Sequence, residues 1–206
     1  SSPDLDGAST DLTCADVMFK PFPTVFTLHS SIQAGILTAA QVDTDDIAAV
    51  EIAVPAKVHA LLRPKPTGVP RSREEAQFSL HWCVAVALVS GHCGLSDIDR
   101  SLSDSRVASL VERMTIVSEP KWIGYQGALV LARRHDGRTV VTEIDEAPGT
   151  ASSPLGPTAL ASKFTDTVDA AWGPGAAAPV LKTLPALDVD ASVTPLIGCL
   201  RQIPGA

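Results

Sequence analysis

The chain has 206 residues, of which 45% are hydrophobic and 19% charged, a composition typical of a globular protein with one good core or two small ones. Its formal net charge is −7 without any lysine- and arginine-rich run, so we expect no nucleic-acid partner. No apolar stretch approaches the ~18 residues of a membrane span, and the polar start SSPDLDGASTDL does not resemble a signal peptide, so we expect a cytoplasmic protein that binds no membrane.

The first predicted element follows a proline-rich segment. We predict that residues 1–15 form a flexible leader and that residues 16–206 form the folded domain. In KPFPTVFTLHSSIQAGI, from 20 to 36, each proline disfavours helix at the residue before it. Apolar residues at helical spacing then predict a helix over about 26–40. Lys20 starts this segment, and His29 lies in the first turn of the predicted helix.

The middle of the chain predicts a strand and a buried helix. Apolar residues alternate over 50–54, which predicts a half-buried strand that Pro55 ends. SREE, at 72–75, has the spacing of a capping box. The helix that it opens contains FSLHWCVAVALVSG, which is apolar all round between Trp82 and Val89 and is therefore predicted to be buried, with Gly91 as its stop. A short amphipathic helix over 104–113 and the strand MTIV follow.

A hairpin is the clearest local signal in the second half. GALVLARRHDGRTVVTEI has two β-prone runs around Asp136-Gly137, which predicts a hairpin with a two-residue turn. TALASKFTDTV predicts a helix, and two short helices are expected around 180–187 and 191–201. Hairpin strands with segregated helices predict an α+β fold: a small antiparallel or mixed sheet with a hairpin, covered by helices.

Four blocks of the chain resemble one protein family. KPFPTVFTLHSSIQA resembles the K-P-[YF]-P-x5-H-x2-[IV]-x-A motif of the MmgE/PrpD family, which includes 2-methylcitrate dehydratase, cis-aconitate decarboxylase and iminodisuccinate epimerase. The blocks EAQFSLHWCVAVALVSG, DSRVASLVERMTIV and GTASSPLGPTALASKF are similar to other family segments. They occur in the family's order and extend the resemblance from about residue 20 to 164.

The resemblance implies half of a two-domain enzyme. The four blocks belong to the family's smaller C-terminal α+β domain, whereas its larger N-terminal helical domain has no match in this sequence. In the family, the active site lies in the cleft between the two domains. The expected partners are therefore a helical N-terminal-type domain or separate subunit and a small carboxylate, in a homo- or hetero-oligomer such as a dimer. A fragment, a cleavage product and a separately encoded subunit all stay open.

Lys20 and His29 match the motif's lysine and histidine, which implies that they line the substrate cleft. A histidine near a helix N-terminus is biased toward its neutral form, which suits a general base, and once protonated it suits a carboxylate ligand. We expect His29 to be catalytic and Lys20 to bind substrate. The alternatives are a histidine hydrogen-bonded to a nearby loop and a solvated lysine.

Trp82 departs from the family pattern, in which many members carry a tyrosine. The indole keeps an aromatic wall and an N–H donor but lacks an ionisable hydroxyl. We expect Trp82 to bind substrate and the preceding His81 to supply a catalytic polar group. A changed reaction, lost activity and a structural role for His81 are the alternatives.

Metal and serine chemistry are not expected. A zinc site would draw on four residues whose spacing is not a usual zinc pattern, namely His81, Cys83, His92 and Cys93. Residues 81 and 83 also point about 200° apart on a helix. Because the cysteines form no C-x-x-C pair, we expect reduced thiols. Ser30 and Ser31 lack the glycines of a nucleophile elbow. We therefore expect neither a metal nor a cofactor.

The resemblance implies a metal-independent lyase or isomerase that acts on a small di- or tricarboxylate. Proton abstraction α to a carboxylate would lead to dehydration, decarboxylation or epimerisation through a carbanion-like intermediate, which needs cationic donors around it. The alternative is a non-catalytic, lid-like subunit that binds a helical partner chain or a ligand. A larger, less charged substrate of specialised metabolism also stays open, because Trp82 is apolar.

Overall fold

The computed structural model describes residues 17–62, 64–65, 68–184 and 192–201. The predicted leader, 1–15, lies outside these residues, as do parts of the last two predicted helices. Within them, four strands form one sheet in the order β2-β1-β3-β4: β1 (Ile47–Pro55), β2 (Met114–Glu119), β3 (Ala128–Arg134) and β4 (Thr139–Ile144). β1 runs parallel to β2 and antiparallel to β3, and β3 pairs antiparallel with β4. The sheet is therefore mixed.

Helices cover the sheet, which confirms the α+β prediction. They are α1 (His29–Ala39), α2 (Ala56–Leu61), α3 (Arg73–Gln77), α4 (Leu80–Ser90), α5 (Leu95–Ser101), α6 (Ser105–Glu112), α7 (Pro157–Trp172), α8 (Ala177–Thr183) and α9 (Thr194–Leu200), with 3-10 turns at Phe26–Leu28 and Thr44–Asp46. The sequence prediction did not include α2 or α5. In the described ranges, no helix has the length and apolarity needed to span a membrane.

The core forms where α1 packs against both the sheet and α4. Val50, Ile52 and Val54 alternate along β1 and are all buried, as the sequence pattern predicts. Each fully buried side chain of this size stabilises the fold by about 1.5–3 kcal/mol relative to exposure. α4 is buried from Leu80 to Leu88, and Gly91 ends it with a left-handed φ of 70°, as predicted.

α1 and α4 approach closely at Gly35. A Cβ atom placed on this residue would lie 3.2 Å from Ala87 Cβ and 3.3 Å from Val84 Cγ1. Most side chains need more room than this, so the two helix backbones can pack at this distance because residue 35 is glycine. The contact fixes α1, and His29 at its start, against the central helix of the core.

The helix predicted from the capping box is broken into two. Ser72 caps α3 by accepting a hydrogen bond from the Glu75 backbone N–H at 3.2 Å, but α3 ends after five residues. Ser79 then takes an extended conformation and accepts from the Trp82 backbone N–H at 3.3 Å. A serine that caps the backbone competes with helix continuation. The prediction of one continuous helix is therefore wrong, and Phe78 lies at the break.

The hairpin is confirmed, but its predicted two-residue turn is wrong. Arg134 N–H donates to the Arg138 carbonyl at 2.8 Å, and Gly137 N–H donates to the Arg134 carbonyl at 3.1 Å. Residues 135–137 thus form a three-residue loop, in which Gly137 has a φ of 82°. A turn followed by a left-handed glycine is the usual geometry of a three-residue hairpin loop.

Candidate functional site

Three segments that are far apart in the sequence enclose a cavity of about 420 Å³. The proline-rich segment before α1, the break between α3 and α4, and one turn of α7 each form part of its wall. The lining residues are Lys20, Phe22, Pro23, Thr24, Val25, Gln77, Phe78 and Lys163. The wall therefore combines two ammonium groups and one amide with a mainly apolar remainder.

Hydrogen bonds hold the proline-rich segment in place. Gln77 Nε2 donates to the Pro23 carbonyl and so joins the end of α3 to this segment. Lys20 Nζ donates to the Thr24 carbonyl at 3.4 Å, which folds its side chain over the same segment. Because Pro21 and Pro23 also restrict the backbone, the Lys20 ammonium is held close to the cavity.

Gly149 packs against the residues that precede the proline-rich segment. The Phe19 N–H donates to the Gly149 carbonyl at 2.8 Å, and Gly149 itself has a φ of 95°. A Cβ atom at this position would lie 1.9 Å from the Phe19 carbonyl oxygen. Both the conformation and the available space therefore require glycine. The loop that contains Gly149 thus helps to position Lys20.

His29 is completely enclosed, with 0% of its side chain exposed. Two phenyl rings pack against the imidazole in T-shaped arrangements, with centroid distances of 5.4 Å for Phe22 and 5.5 Å for Phe26. Neither Nδ1 nor Nε2 has a hydrogen-bond partner among the described residues. Buried polar atoms are rarely left unpaired, so this imidazole retains both a donor and an acceptor for another group. Phe22 contacts His29 and also lines the cavity, which links the two.

The pKa of His29 is lowered from 6.5 to about 4. Burial is the main cause, because an apolar surrounding disfavours the charged ring. The positive charges of Lys20 and Lys163 lower it further, whereas the nearby backbone of Thr24 and Phe22 raises it without forming hydrogen bonds of normal geometry. His29 is therefore neutral at pH 7, the form in which a histidine accepts a proton.

His81 lies in a different environment. It is buried in the first turn of α4, and its pKa is also lowered to about 4, by burial and then by the charge of Lys65. Lys65 Nζ donates to the carbonyls of Glu112 at 2.7 Å and Met114 at 2.9 Å. His81 is not among the residues that line the cavity beside Lys20. Its catalytic role stays a prediction.

Trp82 belongs to the core. None of its side chain is exposed, and its Nε1 donates to Ser101 Oγ at 2.8 Å. Ser101 Oγ in turn donates to the Ile98 carbonyl at 2.6 Å, so the indole is tied to α5. The predicted substrate contact of Trp82 stays a prediction, and in this arrangement a ligand reaches the indole only after the surrounding core moves.

Gln77 and Lys163 complete the cavity but were not predicted as site residues. Gln77 lines the cavity because α3 ends there, which the capping-box pattern does not indicate. Lys163 stands in the segment GTASSPLGPTALASKF, and its place in that block is the one sequence signal that points to it. In the part of the chain that the structure describes, no group of three or more His, Cys, Asp or Glu residues could hold a metal ion.

A second cavity, of about 400 Å³ between α5 and α7, is lined by several acidic side chains. Two of these carboxylates, those of Asp97 and Asp169, already have partners in the protein. Asp97 accepts from the Gly94 N–H at 2.9 Å and from Arg100, and Asp169 accepts from the Gly175 and Ala177 N–H groups at 2.9 Å. These carboxylates cap local backbone, whereas the cations of the first cavity face open space.

Comparison with known proteins places the cavity within a recognised domain. Residues 22–179 match the family model described as MmgE/PrpD C-terminal domain. The match spans Phe22, Gln77 and Lys163, and Lys20 lies two residues before it. No curated protein matches the chain.

Proposed function

Because the chain belongs to the MmgE/PrpD family through its C-terminal domain, we propose that it forms one wall of a metal-independent lyase or isomerase site for a small di- or tricarboxylate. The observation that carries this proposal is the cavity that Lys20 and Lys163 line, whose wall residue Phe22 packs against the neutral, unpaired imidazole of His29. Both site residues predicted from the motif, Lys20 and His29, contribute to this region of the structure.

Lys20 would bind a carboxylate of the substrate. Hydrogen bonds between an ammonium and a carboxylate are shorter and about twice as strong as those between neutral groups. The Lys20 ammonium donates to the Thr24 carbonyl at the long distance of 3.4 Å. A substrate carboxylate would replace this weak hydrogen bond with a stronger one. The apolar wall at Phe22 and Val25 would pack against the carbon chain of the substrate.

His29 would move a proton. With its pKa at about 4 it is a weak base, but a bound dianion would offset the lysine charges and raise that pKa. A base whose pKa lies closer to the working pH is more effective. Abstraction of the proton α to a carboxylate would then give a carbanion-like intermediate, which nearby ammonium groups stabilise. Phe22 has to move for the substrate to reach the ring, since His29 is enclosed.

The other wall would come from a helical domain or subunit. The matched domain is C-terminal in its family, so a second domain or chain would complete the cleft and supply further acid and base groups. His81 and Trp82 do not enter this proposal, because the cation that acts on His81 is Lys65 and not a lysine of the cavity, and because the Trp82 indole is tied to Ser101 in the core. Dehydration and epimerisation both begin with this proton abstraction. Decarboxylation would instead form a similar carbanion by loss of carbon dioxide and would then need a proton donor. The chemistry of the second wall would select among the three reactions.

The proposal is tested by reconstituting the cleft. The chain is combined with the helical domain of a family member, cis-aconitate or 2-methylcitrate is added, and turnover is followed by proton NMR. We expect His29→Ala to reduce turnover at least about 100-fold, which is the usual scale for a general acid or base. Lys20→Ala, which removes a charged hydrogen bond to the substrate, should reduce turnover at low substrate concentration about tenfold. Lys182→Ala, which removes an exposed lysine of α8, is the matched control. Rates that stay unchanged in both site variants would refute the assigned roles.

The enclosure of His29 favours a second candidate function, a non-catalytic, lid-like subunit. In this case the chain binds a helical partner or a carboxylate but performs no reaction. Affinity purification of the native protein followed by mass spectrometry shows whether a helical chain co-purifies. Carboxylate binding without turnover in the reconstituted pair would support the lid, whereas turnover would exclude it.

A further inference from the structure

We propose that Lys163 is a specificity-determining residue that binds the second carboxylate of the ligand, while Lys20 binds the first. This inference rests on the proposed function, because it concerns the same cavity. Lys163 lies on α7, and Lys20 lies on the proline-rich segment that precedes α1. Both side chains line the cavity of about 420 Å³.

Lys163 is half-buried and has no carboxylate partner among the described residues. Lys121, by comparison, pairs with Glu143 at 2.7 Å. A cation that is partly removed from water and lacks a counter-ion is costly unless an anion joins it. The cavity gives such an anion access to Lys163.

Lys20 and Lys163 also act on the same ring. Both charges lower the pKa of His29, so both ammonium groups lie within electrostatic reach of one imidazole. Two cations in the wall of one cavity whose other side chains are mainly apolar match a molecule that carries two anionic groups on a short carbon chain. A monocarboxylate carries one negative charge and offsets only one of the two lysine charges, so the second cation favours dianions.

The test compares ligands with one and with several carboxylates. The 206-residue chain, combined with the helical domain, is titrated calorimetrically with cis-aconitate and with propionate at fixed ionic strength. We expect Lys163→Gln to weaken cis-aconitate binding about tenfold, which corresponds to ~1.4 kcal/mol. Propionate binding should change less than about twofold, and Lys163→Arg should stay within about threefold of wild type for both ligands, because the charge is kept.

Lys182→Gln on α8 is the control, since it removes an exposed lysine outside the cavity. If Lys163→Gln binds cis-aconitate as tightly as Lys182→Gln does, or loses equal affinity for both ligands, the role of Lys163 is refuted. The proposed function survives that outcome provided that Lys20→Gln still weakens binding. If the wild-type pair binds neither ligand, the proposed function itself fails.

Discussion

His29 and His81 look alike when each is considered alone. Both are buried in the first turn of a core helix, and burial lowers the pKa of each to about 4. They differ in their neighbouring cations. Lys65, beside His81, donates to two backbone carbonyls at 2.7 and 2.9 Å. Near His29, Lys20 makes one longer hydrogen bond of 3.4 Å, and both Lys20 and Lys163 line an open cavity. The bonds that the neighbours already make therefore distinguish a candidate site from packed core, and the lowered pKa does not.

The comparison predicts that the region around His81 behaves as core. Trp82→Ala should lower the free energy of unfolding by about 4 kcal/mol, because it leaves a large cavity and removes the indole N–H from which Ser101 Oγ accepts. Trp172→Ala, which removes an indole that is 38% exposed, should cost less than about 1 kcal/mol. Urea denaturation monitored by circular dichroism measures both.

Trp82→Phe separates packing from ligand contact. It should keep the fold at a cost of about 1–2 kcal/mol, through loss of one buried hydrogen bond and some volume. Its affinity for cis-aconitate in the reconstituted pair should equal that of wild type. A loss of affinity greater than about fivefold, or ~1 kcal/mol, would contradict the assignment of Trp82 to the core and revive its predicted substrate contact.

The region around His29 should depend on the loop behind it. Gly149→Ala should cost about 3 kcal/mol, because alanine at a left-handed φ is strained and its Cβ would clash with the Phe19 carbonyl. Gly137→Ala, at a φ of 82° with no atom within 4 Å of the added Cβ, should cost only about 1 kcal/mol. Thermal unfolding compares the two. Equal losses of stability in the two variants would show that the close approach between Gly149 and Phe19 does not contribute to the cost of Gly149→Ala.

Both histidines should make stability depend on pH in the same way. Between pH 6.5 and about 4 the unfolded chain binds protons that the native histidines do not, so stability is full above pH 6.5 and is lost as the pH falls toward 4. Each histidine should account for about 2 kcal/mol of the difference between pH 7 and pH 5. His29→Gln and His81→Gln should each reduce that difference, as measured by urea denaturation at both pH values. If the difference in unfolding free energy between pH 7 and pH 5 is the same in a variant as in wild type, the replaced histidine is not buried in its neutral form.

A bound ligand should then affect only one of the two histidines. Cis-aconitate near Lys20 and Lys163 would offset their charges and raise the pKa of His29, while the pKa of His81 would stay where it is. NMR titration of the two imidazole Cε1–H signals, with and without ligand, measures both pKa values. Equal shifts of the two would remove the distinction on which the site assignment rests.

The sequence predicted those parts of the fold that local patterns determine. Alternation over 50–54 indicated β1, and an all-round apolar run indicated the buried α4. The break at Phe78 escaped prediction because Ser72 and Ser79 are both good caps, and sequence spacing does not show which of them starts the long helix. The hairpin loop was misjudged by one residue, since Asp-Gly suits both loop lengths.

The candidate site was predicted only in part, because it depends on contacts between distant segments. Lys20 and His29 lie within one motif and were found through it. Lys163 reaches the cavity through the placement of α7, and Gln77 reaches it through the break after α3. No local pattern contains such information. The resemblance also suggested a cleft position for Trp82, which the structure encloses within the core.

The close approach at Gly35 has a consequence for motion. Because α1 and α4 pack at this glycine with almost no free space, α1 cannot slide or tilt without dragging the central helix of the core along. His29, at the start of α1, therefore moves little, and access to it has to come from the proline-rich segment in front of it. Entry of a ligand to the imidazole therefore depends on the Phe22 and Phe26 side chains, whose rings pack against it.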